Sequence, residues 1–453
     1  MKPTSATNAL PGLSPTPRTT YTVLLLCFLA IVSEGYDVGV MGVIVPALLH
    51  DSQWHLTPVQ IGEMGSAALF GTLFGSYFIG FLSDMLGRKP LMIGCVALFS
   101  LSMIGAAWAP SPLAFSIARF IGGLGLGGVI SAAAALTVEY SPVARRNLNF
   151  ALMYSGYSLG ALLSALIGMA YLPSHGWRFV VALGAAPLLL VPVLMIYLPE
   201  SLQLLVERGK TREAGTLAAR LGLRDFDANA LRVVRGPSEG WLASVRAIFS
   251  RGQASTTFCL WLAQIAAVMV IYGLGTWLPQ IMRKLGYELG PSLSFLAVFM
   301  LSSAVGGVVM GRVSDRLGAR RTIAGGYVIG ALAIALLTVP GGGLLRNYTL
   351  VALAGLGSVG VAMVQLGHIA TYYAASIRAS ATGWAVGVGR FGAMAGPIIG
   401  GYLAAQSVDV KWNFYVFACA SLVAGIAIIS TPRTSVTVAD AVGKDAQLDT
   451  PAH

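Results

Sequence analysis

Twelve apolar stretches recur along this chain, at about 22–48, 59–82, 91–109, 112–138, 148–172, 177–198, 256–281, 292–311, 322–340, 348–371, 381–405 and 413–430. A helix needs about 20 apolar residues to cross the hydrocarbon core of a bilayer. Twelve crossings consume roughly 240 to 270 residues, which leaves one long loop, two tails and no room for a large soluble domain. Composition agrees: 56% of the 453 residues are hydrophobic and 10% are charged, against about 25% charged in soluble domains. A soluble enzyme, a fibrous protein and a disordered chain are excluded, and the expected fold is an all-α polytopic membrane protein. The first run, about 21–49, is too long for a signal-peptide core of about 7–15 residues, and acids interrupt it.

Charge sets the expected orientation. The longest polar stretch, Pro199 to Gln253, holds nine basic residues between Arg208 and Arg251. With this stretch and both tails inside, 22 Lys and Arg are cytoplasmic and five are external: Arg178, Arg283, Lys284, Arg346 and Lys411. Such a bias is the positive-inside pattern. The net charge of +11 therefore lies beside anionic lipid, and nucleic acid is not needed to explain it. The expected plan is a tail (1–20), a six-helix bundle (21–198), a cytoplasmic linker (199–254), a second six-helix bundle (255–431) and a tail (432–453). Cys27, Cys95, Cys259 and Cys419 sit in apolar runs as small hydrophobes; neither a metal site nor a disulfide framework is expected.

The two halves echo each other. Gly80-Phe-Leu-Ser-Asp84-Met-Leu-Gly87-Arg88-Lys89 follows span two. Gly311-Arg-Val-Ser-Asp315-Arg-Leu-Gly318-Ala-Arg320-Arg321 follows span eight, 231 residues later. A second echo pairs Tyr140…Arg145 with Tyr373…Arg378. Two six-span repeats joined by a basic linker is how rocking two-domain transporters are built. The first of these loops resembles the signature loop of the major facilitator superfamily. Arg119-x-x-x-Gly123-x-Gly125-x-Gly127 and Pro199-Glu200-Ser201 are similar to further motifs of that superfamily. Glu34-Gly35-Tyr36-Asp37 resembles the D-G-[YF]-D element of its aromatic acid:proton symporter family, as does the run from Arg378 through Gly383-Trp384 and Gly389-Arg390 to Gly396-Pro397. The resemblance implies two pseudo-symmetric six-helix bundles that import an aromatic carboxylate with protons. The chain departs from the family pattern at Glu34, where Asp is usual.

Ionisable groups at membrane depth are costly, so each is a candidate for function. Glu34 and Asp37 share a face of span one, three residues apart. Two carboxylates in a low-dielectric medium repel, which favours a proton on one of them; Asp37 is preferred as the proton carrier. Arg119 needs a carboxylate partner, and Asp37 or Glu34 is available; in the superfamily this arginine is thought to couple protonation to conformational change. Arg390 lies near mid-membrane in span eleven with no acid of spans seven to twelve near it in depth, so the substrate is expected to bring the anion to its bidentate fork. By the repeat, Tyr157 on span five corresponds to Arg390 and is expected to face it across the pocket. Trp384, Tyr154, Tyr272 and Trp277 are candidates for stacking on a ring, although Trp277 equally suits an interfacial belt. Gln365 is a candidate donor to a ring substituent, as is Glu34 for the pocket wall. His368 serves helix packing as readily as transport.

A cytoplasmic gate is expected from Asp84, which would accept bonds at a helix N-terminus, and from Arg88 and Lys89, which would meet Glu139. Arg145 and Arg146 join this set, with Asp315 and Arg378 as second-half counterparts; the second latch should be weaker, because Ala319 stands where the first has Arg88. Glycines at four-residue spacing (Gly35/Gly39, Gly123/Gly127, Gly392/Gly396/Gly400) permit close helix contact. No phosphate-binding G-x-x-x-x-G-K-[ST] loop is present, so a proton gradient is the expected drive, with no cofactor and a monomeric bundle. Three alternatives are an efflux antiporter of the same fold, a membrane-embedded enzyme and a non-transporting receptor. No clustered His, Cys and acidic set supports the enzyme, and the receptor leaves the two-half repeat unexplained.

Overall fold

The computed structural model describes residues 16–142, 145–223, 246, 248–249, 253–339, 343–373, 378–406 and 409–432. Among them there are helices and no strands. Among the described residues nine helical stretches have the length and apolarity to cross a membrane. The chain divides into two compact units, Met1–Ser238 with Tyr287–Ala297, and Glu239–Gly286 with Val298–His453.

In the first unit the helices are α1 (Pro17–Leu48), α2 (Pro58–Leu86), α3 (Arg88–Ala107), α4 (Pro112–Glu139), α5 (Arg146–Leu183) and α6 (Leu190–Tyr197). Their starts follow local chemistry. Thr16 and Ser111 cap α1 and α4 by accepting the N–H of Thr19 and Ala114, and Pro17 and Pro112 follow them, where the missing N–H costs nothing. Thr57 and Gln60 form a reciprocal capping box at the head of α2. Gly176, at φ +75° inside α5, breaks the helix between the fifth and sixth apolar stretches, and a 3-10 turn at Ala186–Leu189 interrupts the sixth before the short α6. Two further helices, α7 (Leu202–Glu207) and α8 (Thr211–Arg220), occupy the start of the expected linker. Their Leu202, Leu205, Val206, Ala214 and Ala218 are buried in the same apolar cluster as Leu26, Val96 and Leu136. The stretch read as a linker therefore begins as part of the folded first unit.

The second unit holds α9 (Ala254–Lys284), α10 (Leu289–Leu317), α11 (Ala319–Leu336), α12 (Gly343–Gly355), a single π turn (Leu356–Gly360), α13 (Val361–Tyr372), α14 (Arg378–Ala405) and α15 (Lys411–Ser430); the first residues of α10 group with the first unit. The packing repeats: α1 lies on α5 as α9 lies on α14, and α3 meets α4 as α11 meets the π turn and α13. Gly87 and Gly318, at φ +118° and +86°, turn the chain sharply between α2 and α3 and between α10 and α11.

Candidate functional site

The α1–α5 seam is closed by backbone against backbone. A Cβ added to Gly35 would lie 2.0 Å from the carbonyl oxygen of Tyr157, and one added to Gly160 would lie 1.9 Å from that of Val32. Only hydrogen fits at such points. The seam thereby fixes Glu34, Tyr36 and Asp37 on α1 against the helix that carries Tyr154 and Tyr157. Tyr36 donates its hydroxyl to the Val180 carbonyl at 2.7 Å, which locks the register at one end. Along α5, Phe150, Tyr154 and Tyr157 stack as a ladder, with centroids 6.2 Å apart and planes within 8°.

Asp37 is 2% exposed and Arg119 on α4 is 3% exposed, and the two form an ion pair between Oδ1 and Nη1. Arg119 Nη2 donates to the Asp37 carbonyl at 3.0 Å, and Nη1 also reaches Met103 Sδ at 3.2 Å. Asp37 Oδ2 and Arg119 Nε have no hydrogen-bond partner among the described residues. The pairing open to Arg119 with either acid is thus made with Asp37, while Glu34, 3% exposed, sits one turn away on the same helix. A buried pair left with unused polar atoms is easily unbalanced: removing one partner costs about 3–5 kcal/mol.

In the second unit Arg390 is half-buried on α14. Trp384, six residues before it, stacks on Trp261 of α9 with centroids 6.1 Å apart. Tyr272 is half-buried on α9. Trp277 is fully buried, its indole N–H donating to the Pro397 carbonyl at 2.8 Å; it belongs to the α9–α14 seam and not to an interfacial belt. Gln365 is 0% exposed, its Oε1 accepting from the Tyr327 hydroxyl and one N–H of its Nε2 donating to Gln264 Oε1 inside the unit. His368 packs edge-on to Tyr372 at 6.0 Å. Sequence reasoning passed over Gln264 and Tyr327, to which Gln365 is bonded.

Where α2 meets α3, two glutamates organise the first unit. Glu139, 3% exposed, accepts from Arg88 Nη1 at 2.9 Å, from the Ser201 hydroxyl at 2.6 Å and from the Gln203 N–H at 3.0 Å. Glu200 Oε1 accepts from the N–H groups of Arg88, Lys89 and Ser201 at 2.9, 3.2 and 2.8 Å. The carboxylate at the α3 N-terminus is therefore Glu200, in a place favoured by the helix dipole; the Asp84 side chain, expected for such a role, lies outside the described residues, as does that of Arg378. Lys89 Nζ is spent on the Met195 carbonyl at 2.8 Å. Arg145 and Asp315 are exposed and form no ion pair among the described residues, and Arg146 reaches the Ser141 carbonyl at 3.4 Å. At the opposite end of the unit, Asp51 accepts from the Trp177 indole and from the N–H groups of Gln53 and Trp54. Arg178 lies over both indoles at 4.5 and 5.2 Å. Burial alone would raise the Asp51 carboxyl, but these donors and Arg178 together hold it below its usual range.

The sequence pattern of the Major Facilitator Superfamily matches residues 27–366 and 294–448 of the chain. This chain belongs to the Major Facilitator Superfamily. Within the superfamily it falls among the aromatic acid transporters. It is 32% identical to the benzoate transport protein of Acinetobacter baylyi over 90% of this chain and 88% of that one. It is also 32% identical to the gallate transporter of Pseudomonas putida, over 93% of each chain. The fold is similar to that of the Escherichia coli xylose transporter XylE, a structure described as its partially occluded inward-open conformation (TM-score 0.74, 18% identity, 92% of this chain and 100% of that one). As a member of the superfamily this is a multi-pass membrane transporter of twelve transmembrane segments and not an enzyme.

Proposed function

We propose that the chain imports an aromatic carboxylate, of the benzoate, hydroxybenzoate or chlorophenoxyacetate class, by proton symport with alternating access. The observation that carries the reading is the buried Asp37–Arg119 pair. Protonation of Asp37 cancels the charge that satisfies Arg119, and a buried guanidinium without its counter-charge is expensive. The arginine must then find another partner, which ties proton uptake to a change of conformation. Arg390 supplies a cation on a helix of the second unit, and a guanidinium fork matches a carboxylate in a way an ammonium does not. The relatives that carry benzoate and gallate support a ring-plus-carboxylate cargo. The bias of basic residues supports a bacterial cytoplasmic membrane with both termini inside.

The test is uptake of labelled benzoate and 4-hydroxybenzoate into proteoliposomes of the purified chain. An inward proton gradient should drive accumulation, and its collapse should abolish it. Accumulation that needs an outward gradient would instead mark an exporter and overturn the reading. In the same assay Arg390→Lys should raise KM about tenfold, the worth of a charge-assisted bond lost, without lowering the amount of folded protein. An unchanged KM would remove Arg390 from the anion site.

A further inference from the structure

Among the described residues, the interior of the second unit contains a polar chain that the first unit lacks. Tyr327 of α11 donates its hydroxyl to Gln365 Oε1 at 2.6 Å, and Gln365 Nε2 donates to Gln264 Oε1 at 2.7 Å. Tyr327 and Gln365 are 0% exposed and Gln264 is 7% exposed. Glycine contacts align the halves: Gly160 meets the Val32 carbonyl as Gly392 meets that of Ile265. Gln264 thus corresponds to Ile31, one residue before Val32. The nearby loop echo, 231 residues apart, sets Tyr327 against Val96, and the nearby tyrosine echo, 233 residues apart, sets Gln365 against Ala132. All of these first-unit residues are buried apolar core. Burying three polar groups where the sister half uses hydrocarbon is costly unless each finds its partner.

The chain of donors has a direction. Both amide ends of Gln365 are used, and the oxygen of Gln264 is taken by Gln365. Besides the second N–H of Gln365, itself 0% exposed, what is left over is the Gln264 Nε2 group, for which no acceptor lies among the described residues. This amide lies over α14: a Cβ at Gly389 would be 2.9 Å from Gln264 Cγ and 3.4 Å from its Nε2. Gly389 precedes Arg390. A fixed N–H donor therefore packs on α14 at the position that precedes the residue assigned to the carboxylate.

We propose that Gln264 determines specificity, its Nε2 donating to an oxygen substituent on the ring of the aromatic acid, and that Gln365 and Tyr327 are positioning residues that aim it. The assignment rests on the proposed import of aromatic carboxylates and deepens it: the preferred cargo is a hydroxylated benzoate over benzoate itself. The experiment is equilibrium binding to the purified full-length transporter of benzoate and of its 2-, 3- and 4-hydroxy derivatives. The wild type should bind one hydroxy isomer about tenfold more tightly than benzoate. Gln264→Met, which keeps the volume and loses the donor, should erase that preference and shift benzoate less than about twofold. Tyr327→Phe should weaken the same isomer by a smaller factor without touching benzoate, an effect no packing role produces. Should Gln264→Met not fold, Gln264→Asn, which withdraws the amide by one methylene, and Tyr327→Phe carry the same measurement. Equal binding of benzoate and all hydroxy isomers by the wild type, or a uniform shift in the variants, overturns the inference and leaves the import of aromatic acids standing. Failure of the wild type to bind any of these acids overturns both.

Discussion

Asp37 and Arg119 place opposite charges where water does not reach, and the attraction of each for the other is nearly all that offsets its desolvation. Asp37→Asn keeps the shape and removes the charge. We expect it to abolish proton-driven accumulation while exchange of labelled for unlabelled substrate across the membrane continues, since exchange needs no net proton movement. The same variant leaves Arg119 buried alone and should lose about 3–5 kcal/mol of stability, seen as a lower Tm; adding Arg119→Gln should restore the Tm but not the accumulation. Uphill uptake by Asp37→Asn would remove this residue from coupling. These two residues, with Glu34 and Arg390, are legible in the sequence because a charge stands out against an apolar run. Gln264 and Tyr327 are not, because a single amide or phenol in a membrane helix is unremarkable until its partners are known. The signal that finds them is comparison of the two halves, polar against Ile31 and Val96. Glu200 was visible only as part of a Pro-Glu-Ser run, and its grip on the α3 N-terminus needs the fold to be seen.

Helices in this molecule meet where side chains are absent. At the α1–α5 seam, Gly160→Ala would drive a methyl into the Val32 carbonyl, where 1.9 Å is available, and backbone cannot yield as a flexible side chain can. The variant should lower the Tm markedly and lose transport through displacement of Asp37; full activity would show that the seam opens without cost. The loop between α1 and α2 offers a gentler test. Asp51 is held below its ordinary range, so its anion stabilises the fold above an unfolded-state value of about 4, and that contribution fades as pH falls through the lower native value. Asp51→Asn should remove this part of the acid sensitivity and lower the Tm at pH 7, the difference shrinking as pH falls below the ordinary carboxylate range; a wild-type Tm equal to the variant's at every pH would exclude the anchoring role. Most elements were readable from apolar runs alone, as α1, α4 and α9 show. The sixth segment was less so: its run is continuous, and the 3-10 turn at Ala186–Leu189 within it is a backbone change that hydropathy does not register. Helices α7 and α8 escaped for the opposite reason, since a polar stretch hides the few leucines and alanines that dock them.

For the whole transporter, the stoichiometry of charge decides what drives it. A benzoate-type substrate carries one negative charge, and Asp37 offers one proton site whose charge state alters an ion pair. One substrate anion with one proton moves no net charge, and the pH gradient alone then supplies the force. A second proton, which Glu34 is placed to carry on the same buried helix, would add one positive charge per cycle. A membrane potential of 100 mV is worth about 2.3 kcal/mol per elementary charge, so accumulation in that case would rise by roughly fiftyfold for each 100 mV, interior negative. We expect the electroneutral cycle, because the buried pair of Asp37 with Arg119 is one proton site whose partner exchange converts protonation into movement. In proteoliposomes with a fixed pH gradient and a potassium diffusion potential set by valinomycin, final accumulation of benzoate should be independent of potential. If it follows the potential, two protons travel per anion, and Glu34→Gln should return the cycle to electroneutrality while Asp37→Asn abolishes it. The two carboxylates, adjacent on one helix and alike in burial, are separated by this measurement because it counts charges and not contacts.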